Sequence, residues 1–216
     1  MSSTKLARAV HHVPFTALQL SPLAVIAVGW SAVAVAVAVL LFLTRGFGIT
    51  AFFHRGLAHR AFHTSRVVQF AGAALATAAV QRGPLWWVAN HRTHHLYTDR
   101  PGDVHSPRLH GMARSHMLWI TDPANASTDL DRVRDLAAYP ELRYLDQWAF
   151  LPPALLAVGC FALGALLERL APGTGTSGLQ MFVWGFCVST VAIYHSTWSV
   201  NLSLIHISEP TRQAEI

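Results

Sequence analysis

Charged residues are scarce in this chain of 216 residues, since Asp, Glu, Lys and Arg together make up only 12% of it. Soluble domains carry about 25% charged residues. This deficit, beside a hydrophobic share of 52%, indicates a membrane protein. Cysteine is also rare: Cys160 and Cys187 both lie in apolar runs, which excludes a disulfide framework and a cysteine-rich metal site. The formal net charge of +5 is therefore attributed to membrane-flanking loops rather than to nucleic-acid binding.

Glutamate is present only at positions 141, 168, 209 and 215. Carboxylate-bridged di-iron proteins need Glu and Glu-x-x-His pairs on facing helices, and none of these glutamates belongs to such a pair. The His-Glu-x-x-His signature of zinc proteases is also absent. No small-residue cleavage site follows the basic N-terminal residues, so we predict no removable signal peptide. Histidine, in contrast, is abundant, with 13 residues against 11 acidic ones.

Long apolar runs predict an all-α membrane protein. The first run, residues 13–53, would form a helix about 60 Å long at about 1.5 Å per residue, which is twice the thickness of a bilayer's hydrocarbon core. We therefore divide it at a turn near Gly29. The sequence then predicts four transmembrane helices, at about 13–29, 31–53, 149–167 and 179–200.

Arginine placement predicts the orientation of these helices. Positively charged loops stay on the cytoplasmic side, and the polar segment 90–147 contains seven arginines. Residues 54–60 emerge on the cytoplasmic side after two crossings. The segment 90–147 lies on that same side of the membrane only if the stretch 67–88 does not cross it. We therefore predict that 67–88 forms a helix lying at the membrane interface. We therefore expect an integral protein of a bacterial inner membrane. A helical segment that carries the histidines is expected on its cytoplasmic face.

Two groups of histidines have spacings typical of metal ligands. His54 and His59 are five residues apart, which does not place them on one face of an ideal α-helix, so a bend or end near Gly56 is expected. The second group is His91-x-x-His94-His95, whose offsets of three and four place His91 above both others on one helical face. Neutral imidazole is a good ligand for iron, zinc, copper and nickel. Candidates for orienting these imidazoles through their second nitrogen are Asp99, Asp103 and His105, although either aspartate could equally form a turn.

The stretches GITAFFHRGLAHRAF (48–62) and WWVANHRTHHLYTDRPGDVHSP (86–107) resemble the membrane fatty acid desaturases, in particular the acyl-CoA (delta-9 type) desaturases. The family's first two boxes read His-x-x-x-x-His and His-x-x-His-His. Residues 131–148 are also similar to the family's linker before its last membrane pair, and 194–201 to the approach to an Asn-Ser-x-x-His motif.

The resemblance implies a di-iron centre that uses O₂ and two electrons to remove two hydrogens from a saturated acyl chain. The implied iron ligands are His54, His59, His91, His94 and His95, with Asn201 acting through a water. A narrow apolar substrate tunnel is also implied, and Trp86 and Trp87 could contribute to it. The implied partners are an acyl chain carried on coenzyme A, acyl carrier protein or lipid, and an electron donor such as a ferredoxin, a rubredoxin or a cytochrome b5-like protein.

The resemblance ends after Asn201. The family continues with Asn-Ser-x-x-His and a third box, whereas this chain continues with LSLIHISEPTR, which resembles the translation of a common transposase sequencing adapter. We therefore expect residues 1–201 to be a truncated desaturase domain and 202–216 to be an adapter-derived tail. Because a half-built site holds iron poorly, we expect the 216-residue chain to be inactive.

Two alternatives stay open. A related His-box hydroxylase or monooxygenase would use similar ligands and could return oxygen to the substrate instead of removing a second hydrogen. A His-rich metal transport protein would place charged or His residues in the middle of its spans. The obvious candidates for such positions are Arg45 and His195, which lie near predicted span ends.

Overall fold

The computed structural model describes the backbone of residues 3–207 and the side chains of residues 12–199, and every regular element within that range is helical. This confirms the predicted all-α class. Most of the tail expected to be adapter-derived (208–216) and the side chain of Asn201 lie outside the described part. The longer helices are α1 (Ser3–Leu20), α2 (Ala32–Phe47), α3 (Arg66–Thr77), α4 (Pro84–Tyr97), α5 (Pro140–Gln147), α6 (Leu151–Leu170) and α7 (Ser189–Ile207).

Shorter helical segments join or extend these helices. A 3₁₀ turn, Ser21–Ala24, and the turn Val25–Val28 extend α1. Two segments are π-helices, in which each N–H donates to the carbonyl five residues earlier: Gly48–Ala58 continues α2, and Phe182–Val188, which follows Gly178–Met181, leads into α7. Between Tyr97 and Pro140 the chain forms only short turns, at Pro107–His110, Met112–His116, Leu118–Thr121, Pro123–Asn125, Leu130–Val133 and Arg134–Ala137.

The turn predicted near Gly29 is confirmed. Gly29 has a φ of 67°, a conformation that glycine adopts without steric cost, and it follows the last helical residue Val28. Ser31 then starts α2, because its side-chain oxygen accepts a hydrogen bond from the amide of Ala34 at 3.1 Å.

Two helices of the described residues are long and apolar enough to cross a membrane. They are the continuous run Ala32–Ala58, formed by α2 and its π-helix, and α6 (Leu151–Leu170). Large apolar side chains on their outer faces are exposed, among them Leu43 at 59% and Val158 at 67%. Contiguous exposed apolar surface of this kind marks contact with lipid or with another protein. The apolar helix at 12–28 is shorter.

The single helix predicted at 67–88 is wrong. The structure has two helices in this stretch: α3 ends at Thr77, and α4 begins at Pro84. Proline has no N–H to continue a helix, and it disfavours a helical conformation of the residue before it. Gly83 accordingly has an extended backbone, with φ −85° and ψ 169°. The turn between the helices also contains Val80 and Arg82, which both have positive φ.

Close packing of small residues holds the π-helix Gly48–Ala58 against α3. A Cβ on Gly48 would meet the backbone nitrogen of Ala76 at 2.9 Å, and a Cβ on Gly72 would overlap the ring of Phe52. The same core includes the inner faces of α4 and α5, through residues such as Val88 and Leu142, which are fully buried. The packed core therefore fixes α4 relative to the π-helix that continues α2.

Arg45 of α2 is fully buried in this candidate span. Its guanidinium donates hydrogen bonds to the carbonyls of Leu41 and Ala78 and to the hydroxyls of Ser189 and Thr190. These bonds tie α2 to the end of α3 and to α7. Because its N–H groups are paired with neutral acceptors on several helices, the role of Arg45 is to link these helices. Its burial therefore gives no support to the alternative that the protein transports metal ions.

Candidate metal centre

The π-helix brings His54 and His59 together. The amide of His59 donates to the carbonyl of His54 at 3.0 Å, which places the two residues one turn apart. Their ring centroids are 4.5 Å apart. The helix ends at Ala58, with His59 as its C-cap, so the helix end expected near Gly56 is confirmed. The wider π-helical turn before this end brings the two imidazoles together.

Helix α4 supplies the second pair of imidazoles. His91 and His95 lie four residues apart, and their ring centroids are 4.5 Å apart, as expected for neighbours on one helical face. Trp87, one turn before His91, stacks on the His91 ring at 4.9 Å. Its indole N–H donates to the side-chain oxygen of Gln81. This stacking restricts the orientation of the His91 ring.

The two pairs face each other across the contact between the helices. One ring nitrogen from each of His54, His59, His91 and His95 lies within 4.8 Å of the other three. Nε2 of His91 is 3.0 Å from Nε2 of His59 and also 3.0 Å from Nε2 of His95. A neutral imidazole has one N–H and one acceptor nitrogen, so a single hydrogen bond cannot account for both contacts.

These imidazole nitrogens are close enough together to be ligands of one metal ion. A first-row ion typically lies about 2.1 Å from each imidazole nitrogen, so two nitrogens at right angles around it are about 3.0 Å apart, against about 3.4 Å for a tetrahedral angle. The two 3.0 Å separations, both measured from His91, are compatible with neighbouring ligands of one ion. Four neutral imidazoles are a donor set that suits iron, as well as zinc, copper and nickel. The residues present therefore fit a metal centre.

The electrostatics of the cluster keep its histidines neutral. Burial and the neighbouring imidazoles lower the pKa of His91 far below its ordinary value, and they lower the pKa of His95 to about 4. Burial and the charge of Arg92 lower the pKa of His59. Because only the unprotonated imidazole binds metal, these shifts keep the lone pairs available at neutral pH.

His94 belongs to a second group, with Asp103 and His105. Nδ1 of His94 lies 3.0 Å from the Asp103 carboxylate, and Nδ1 of His105 lies 3.1 Å from its other oxygen, outside hydrogen-bond geometry. Burial raises the pKa of Asp103, but contacts with the two imidazoles outweigh burial and hold that pKa well below its usual range. Asp103 thus touches His94 as the sequence predicted for an orienting residue.

Asp99 does not touch a histidine through its carboxylate in the described contacts. Its side chain accepts a hydrogen bond from the Ser106 hydroxyl at 2.6 Å and lies 3.5 Å from Arg108, while its own amide donates to Asp103. With φ at 57°, Asp99 forms the turn after α4. Of its two possible roles, orienting a histidine or forming a turn, the structure therefore favours the turn for Asp99.

A model of the fatty acid desaturase family matches residues 29–214, most of the chain. The chain belongs to the fatty acid desaturase family. This confirms the resemblance seen in the two histidine boxes.

Individual desaturases are similar to the chain over most of its length. It is 37% identical over 191 residues to the chloroplastic palmitoyl-monogalactosyldiacylglycerol delta-7 desaturase of Arabidopsis thaliana, an alignment that covers 87% of the chain and 47% of the relative. It is 35% identical over 173 residues to the sn-1 stearoyl-lipid 9-desaturase of Anabaena variabilis, covering 80% and 58%. It is 32% identical over 158 residues to an acyl-CoA 5-desaturase of Anemone leveillei, covering 72% and 45%. The chain spans about half the length of these curated relatives.

Arg92, inside the second desaturase box, is a site residue that sequence reasoning missed. Its guanidinium binds both oxygens of Asp135, at 2.8 and 3.1 Å. It also donates to the carbonyls of Leu57 and Ala58, the last residues of the π-helix. Arg60, which follows the first box, binds the same Asp135 at 2.6 Å. The two boxes are therefore joined by one ionic cluster, in which the two arginines outweigh burial and lower the pKa of Asp135 to about 2.

The two tryptophans proposed for a substrate tunnel have different environments. Trp86 is buried, stacks on Trp119 at 5.7 Å, and donates its indole N–H to the Asn125 carbonyl. Trp87 is partly exposed and stacks on His91. Of the two, only Trp87 contacts a histidine of the four-imidazole group, and it thus forms part of the wall beside the candidate metal centre.

Proposed function

We propose that the protein of which this chain is part is an iron-dependent, oxygen-using fatty acyl desaturase that introduces a double bond into a saturated acyl chain. The observation that carries the proposal is the convergence of four imidazoles from both family boxes, with one nitrogen of each within 4.8 Å of the other three. Family membership supports the reaction class.

Bound iron would supply redox chemistry: the acyl chain loses two hydrogens, and O₂ takes these together with two external electrons and two protons to form two waters. The chain's residues would hold the ions and shape the space around them. We assign His54, His59, His91 and His95 to one iron. His94 would use its free Nε2 for the second iron, with Nδ1 held by Asp103.

Further ligands would come from later parts of the protein. Asn201 is proposed as a ligand acting through a water, by resemblance to the family. His105 would support the second iron site from beside Asp103, since it is buried and its Nδ1 lacks a hydrogen-bond partner. Trp87, stacked on His91, would form the tunnel wall nearest the iron. Trp86 would lie behind that wall, against Trp119.

The membrane arrangement proposed here has four spans, at about 13–29, 31–53, 149–167 and 179–200. The two helices long and apolar enough to cross support it. The region of α3 would lie at the interface, because several of its apolar side chains are exposed, Val67 at 77% among them. The arginine-rich segment 90–147 would place the histidines on the cytoplasmic face of a bacterial inner membrane.

The substrate is proposed to be an acyl chain esterified in a membrane lipid. Two of the relatives described above carry lipid substrates in their names, whereas the third acts on acyl-CoA. Acyl-CoA and acyl carrier protein are therefore the carriers to compare in an assay. The electron donor would be a ferredoxin, a rubredoxin or a cytochrome b5-like protein.

The native protein is proposed to extend the domain of residues 1–201, with 202–216 derived from adapter sequence. The coverage of about half of each relative fits a fragment. Sequencing the gene beyond codon 201 tests this. Finding LSLIHISEPTR encoded in uncontaminated genomic DNA would end the proposal, and recovering a third histidine box would support it.

Product analysis of the complete gene product tests the enzyme assignment. Expressed with a ferredoxin system, it should convert saturated acyl chains to monounsaturated ones, detected by gas chromatography and mass spectrometry, and a His59→Ala variant should not. A hydroxylated product would instead identify the related hydroxylase chemistry. The 216-residue chain is expected to give neither product, so detectable desaturation by this polypeptide would contradict the truncation proposal.

A further inference from the structure

A cavity of about 430 Å³ is lined by Trp86 and by the first residues of α6. Its apolar part is formed by residues of α6 and of the π-helix Phe182–Val188, including Pro153, Ala154 and Phe186. Its polar part is formed by Arg82, Thr128 and Asp146. Because α6 is one of the two candidate membrane spans, the cavity joins the apolar level of the membrane to a polar end outside it.

Arg82 is the cation of this cavity, and it is held firmly in place. Its guanidinium lies 4.8 Å above the Trp86 ring and donates to the carbonyls of Ile120 and Ala126, at 3.3 and 3.2 Å. None of the ion pairs described within residues 12–199 includes Arg82, although the Asp146 carboxylate in the same cavity attracts it electrostatically. A guanidinium has five N–H donors, so further donors stay available for a ligand.

The backbone around the cation is strained in a way that often marks ligand sites. Val80 and Arg82 both line the cavity, and their φ values are 63° and 66°. Positive φ is unusual for any residue with a Cβ and most unfavourable for a β-branched one. Such conformations persist only where surrounding contacts impose them, and they concentrate at functional sites and ligand clamps. Here the Tyr194 hydroxyl holds the Val80 carbonyl at 2.6 Å.

Asp146 gives the cavity a negative charge as well. Its carboxylate accepts hydrogen bonds from the Trp86 amide at 2.9 Å and the Thr128 hydroxyl at 3.0 Å, and it also attracts Arg82 electrostatically. An occupant with only a negative head group would meet this carboxylate unfavourably. An uncharged head group would give neither Arg82 nor Asp146 a direct partner of opposite charge. A head group with one phosphate and one ammonium matches both charges.

We propose that this cavity binds a zwitterionic glycerophospholipid, with the phosphate at Arg82, the ammonium towards Asp146 and an acyl chain along Ala154 and Phe186. The stacked indoles of Trp86 and Trp119 lie between this site and His105. The bound lipid is thus separate from the acyl chain that reacts. The site requires no iron, so its test is independent of the proposed function.

The test is a lipid titration of the metal-free 216-residue chain in detergent, followed by native mass spectrometry. The probes are dioleoyl phosphatidylethanolamine, dioleoyl phosphatidylglycerol and dioleoylglycerol, which share their acyl chains. Phosphatidylethanolamine should bind most tightly. Arg82→Gln should weaken it by roughly tenfold, since a charge-assisted hydrogen bond is lost. Ala154→Phe, which fills the cavity from the membrane side, should also prevent binding.

Arg134→Gln is the matched control, because Arg134 is an exposed arginine whose ion pair among the described residues is with Asp131, and it should leave lipid affinity unchanged. Equal binding of all three lipids by the wild-type chain would overturn the head-group assignment. Unchanged binding by both Arg82→Gln and Ala154→Phe would overturn the site itself. Circular dichroism of each variant establishes that it is folded, so the two substitutions probe the cavity from opposite ends.

Discussion

Replacing Arg92 with glutamine should loosen the connection between the two histidine boxes. The substitution removes the two-point contact with Asp135 and the bonds to the Leu57 and Ala58 carbonyls. The Arg92 side chain is 19% exposed and that of Asp135 31%, so solvent screens the pair only in part. Asp135 also keeps its contact with Arg60 at 2.6 Å, so the carboxylate is not left unpaired.

These contacts set the expected magnitude. A hydrogen bond to a charged group contributes about 1.5–3 kcal/mol, and breaking a fully buried ion pair costs about 3–5 kcal/mol. For this partly exposed cluster we expect the free energy of unfolding to fall by about 2–3 kcal/mol. In a chain of this size each kcal/mol shifts the melting temperature by about 2–4 °C, so a decrease of roughly 5–10 °C is expected. Affinity for Co²⁺ as an iron substitute should fall about 10–100-fold, as for other residues that hold metal ligands in place.

The assay combines thermal unfolding of the metal-free chain in detergent with spectroscopic Co²⁺ titration. Arg92→Lys should have an intermediate effect, because a single ammonium cannot satisfy two carbonyls and a carboxylate together. Arg134→Gln removes an exposed ion pair and should change neither measurement. If Arg92→Gln behaved like Arg134→Gln in both measurements, Arg92 would have no role in positioning the boxes.

Three further predictions address the site and its packing. Asp103→Asn should lower Co²⁺ affinity about 10–100-fold by releasing His94, whereas Asp99→Asn should not, because the Asp99 carboxylate contacts no histidine; equal titration curves would contradict this. Gly72→Ala should destabilise the chain by about 1–3 kcal/mol in chemical unfolding, since its Cβ would meet the Phe52 ring, and Gly46→Ala, with no atom within 4 Å, should be tolerated. The pKa of His95 falls from 6.5 to about 4 on folding, so the unfolded chain binds the extra proton. The metal-free chain should therefore be fully stabilised above pH 6.5 and lose stability progressively down to about pH 4; pH-independent melting across that range would refute this.

The sequence was informative wherever a local pattern determined the structure. The turn at Gly29 followed from the excessive length of one apolar run, and glycine provides the required backbone conformation there. The histidine spacings identified the family and the residues that meet at the candidate metal centre. An offset of four on α4 brought His91 and His95 together as helix geometry predicts.

Other features depend on contacts that no local pattern specifies. The break after Thr77 is one such feature, because arginine placement, which predicts one helix over 67–88, concerns the side of the membrane and not the continuity of the helix. The partner of Arg92 lies 43 residues away, and nothing near Asp135 marks it. The different environments of His94 and His95 could not be predicted either, since Asp103 reaches only one of these adjacent residues.

The π-helical winding of Gly48–Ala58 matches the sequence spacing of the two histidines that it carries to the number of residues in one helical turn. A gap of five residues needs the wider turn, just as the gap of four between His91 and His95 needs an ordinary one. Deleting one residue between His54 and His59 would therefore not separate the two imidazoles if the segment rewound as an α-helix. It would instead rotate everything before the deletion, including Arg45 and its bonds to Ser189 and Thr190. The number of residues between His54 and His59 thus determines how α2 is rotated about its own axis relative to the histidines.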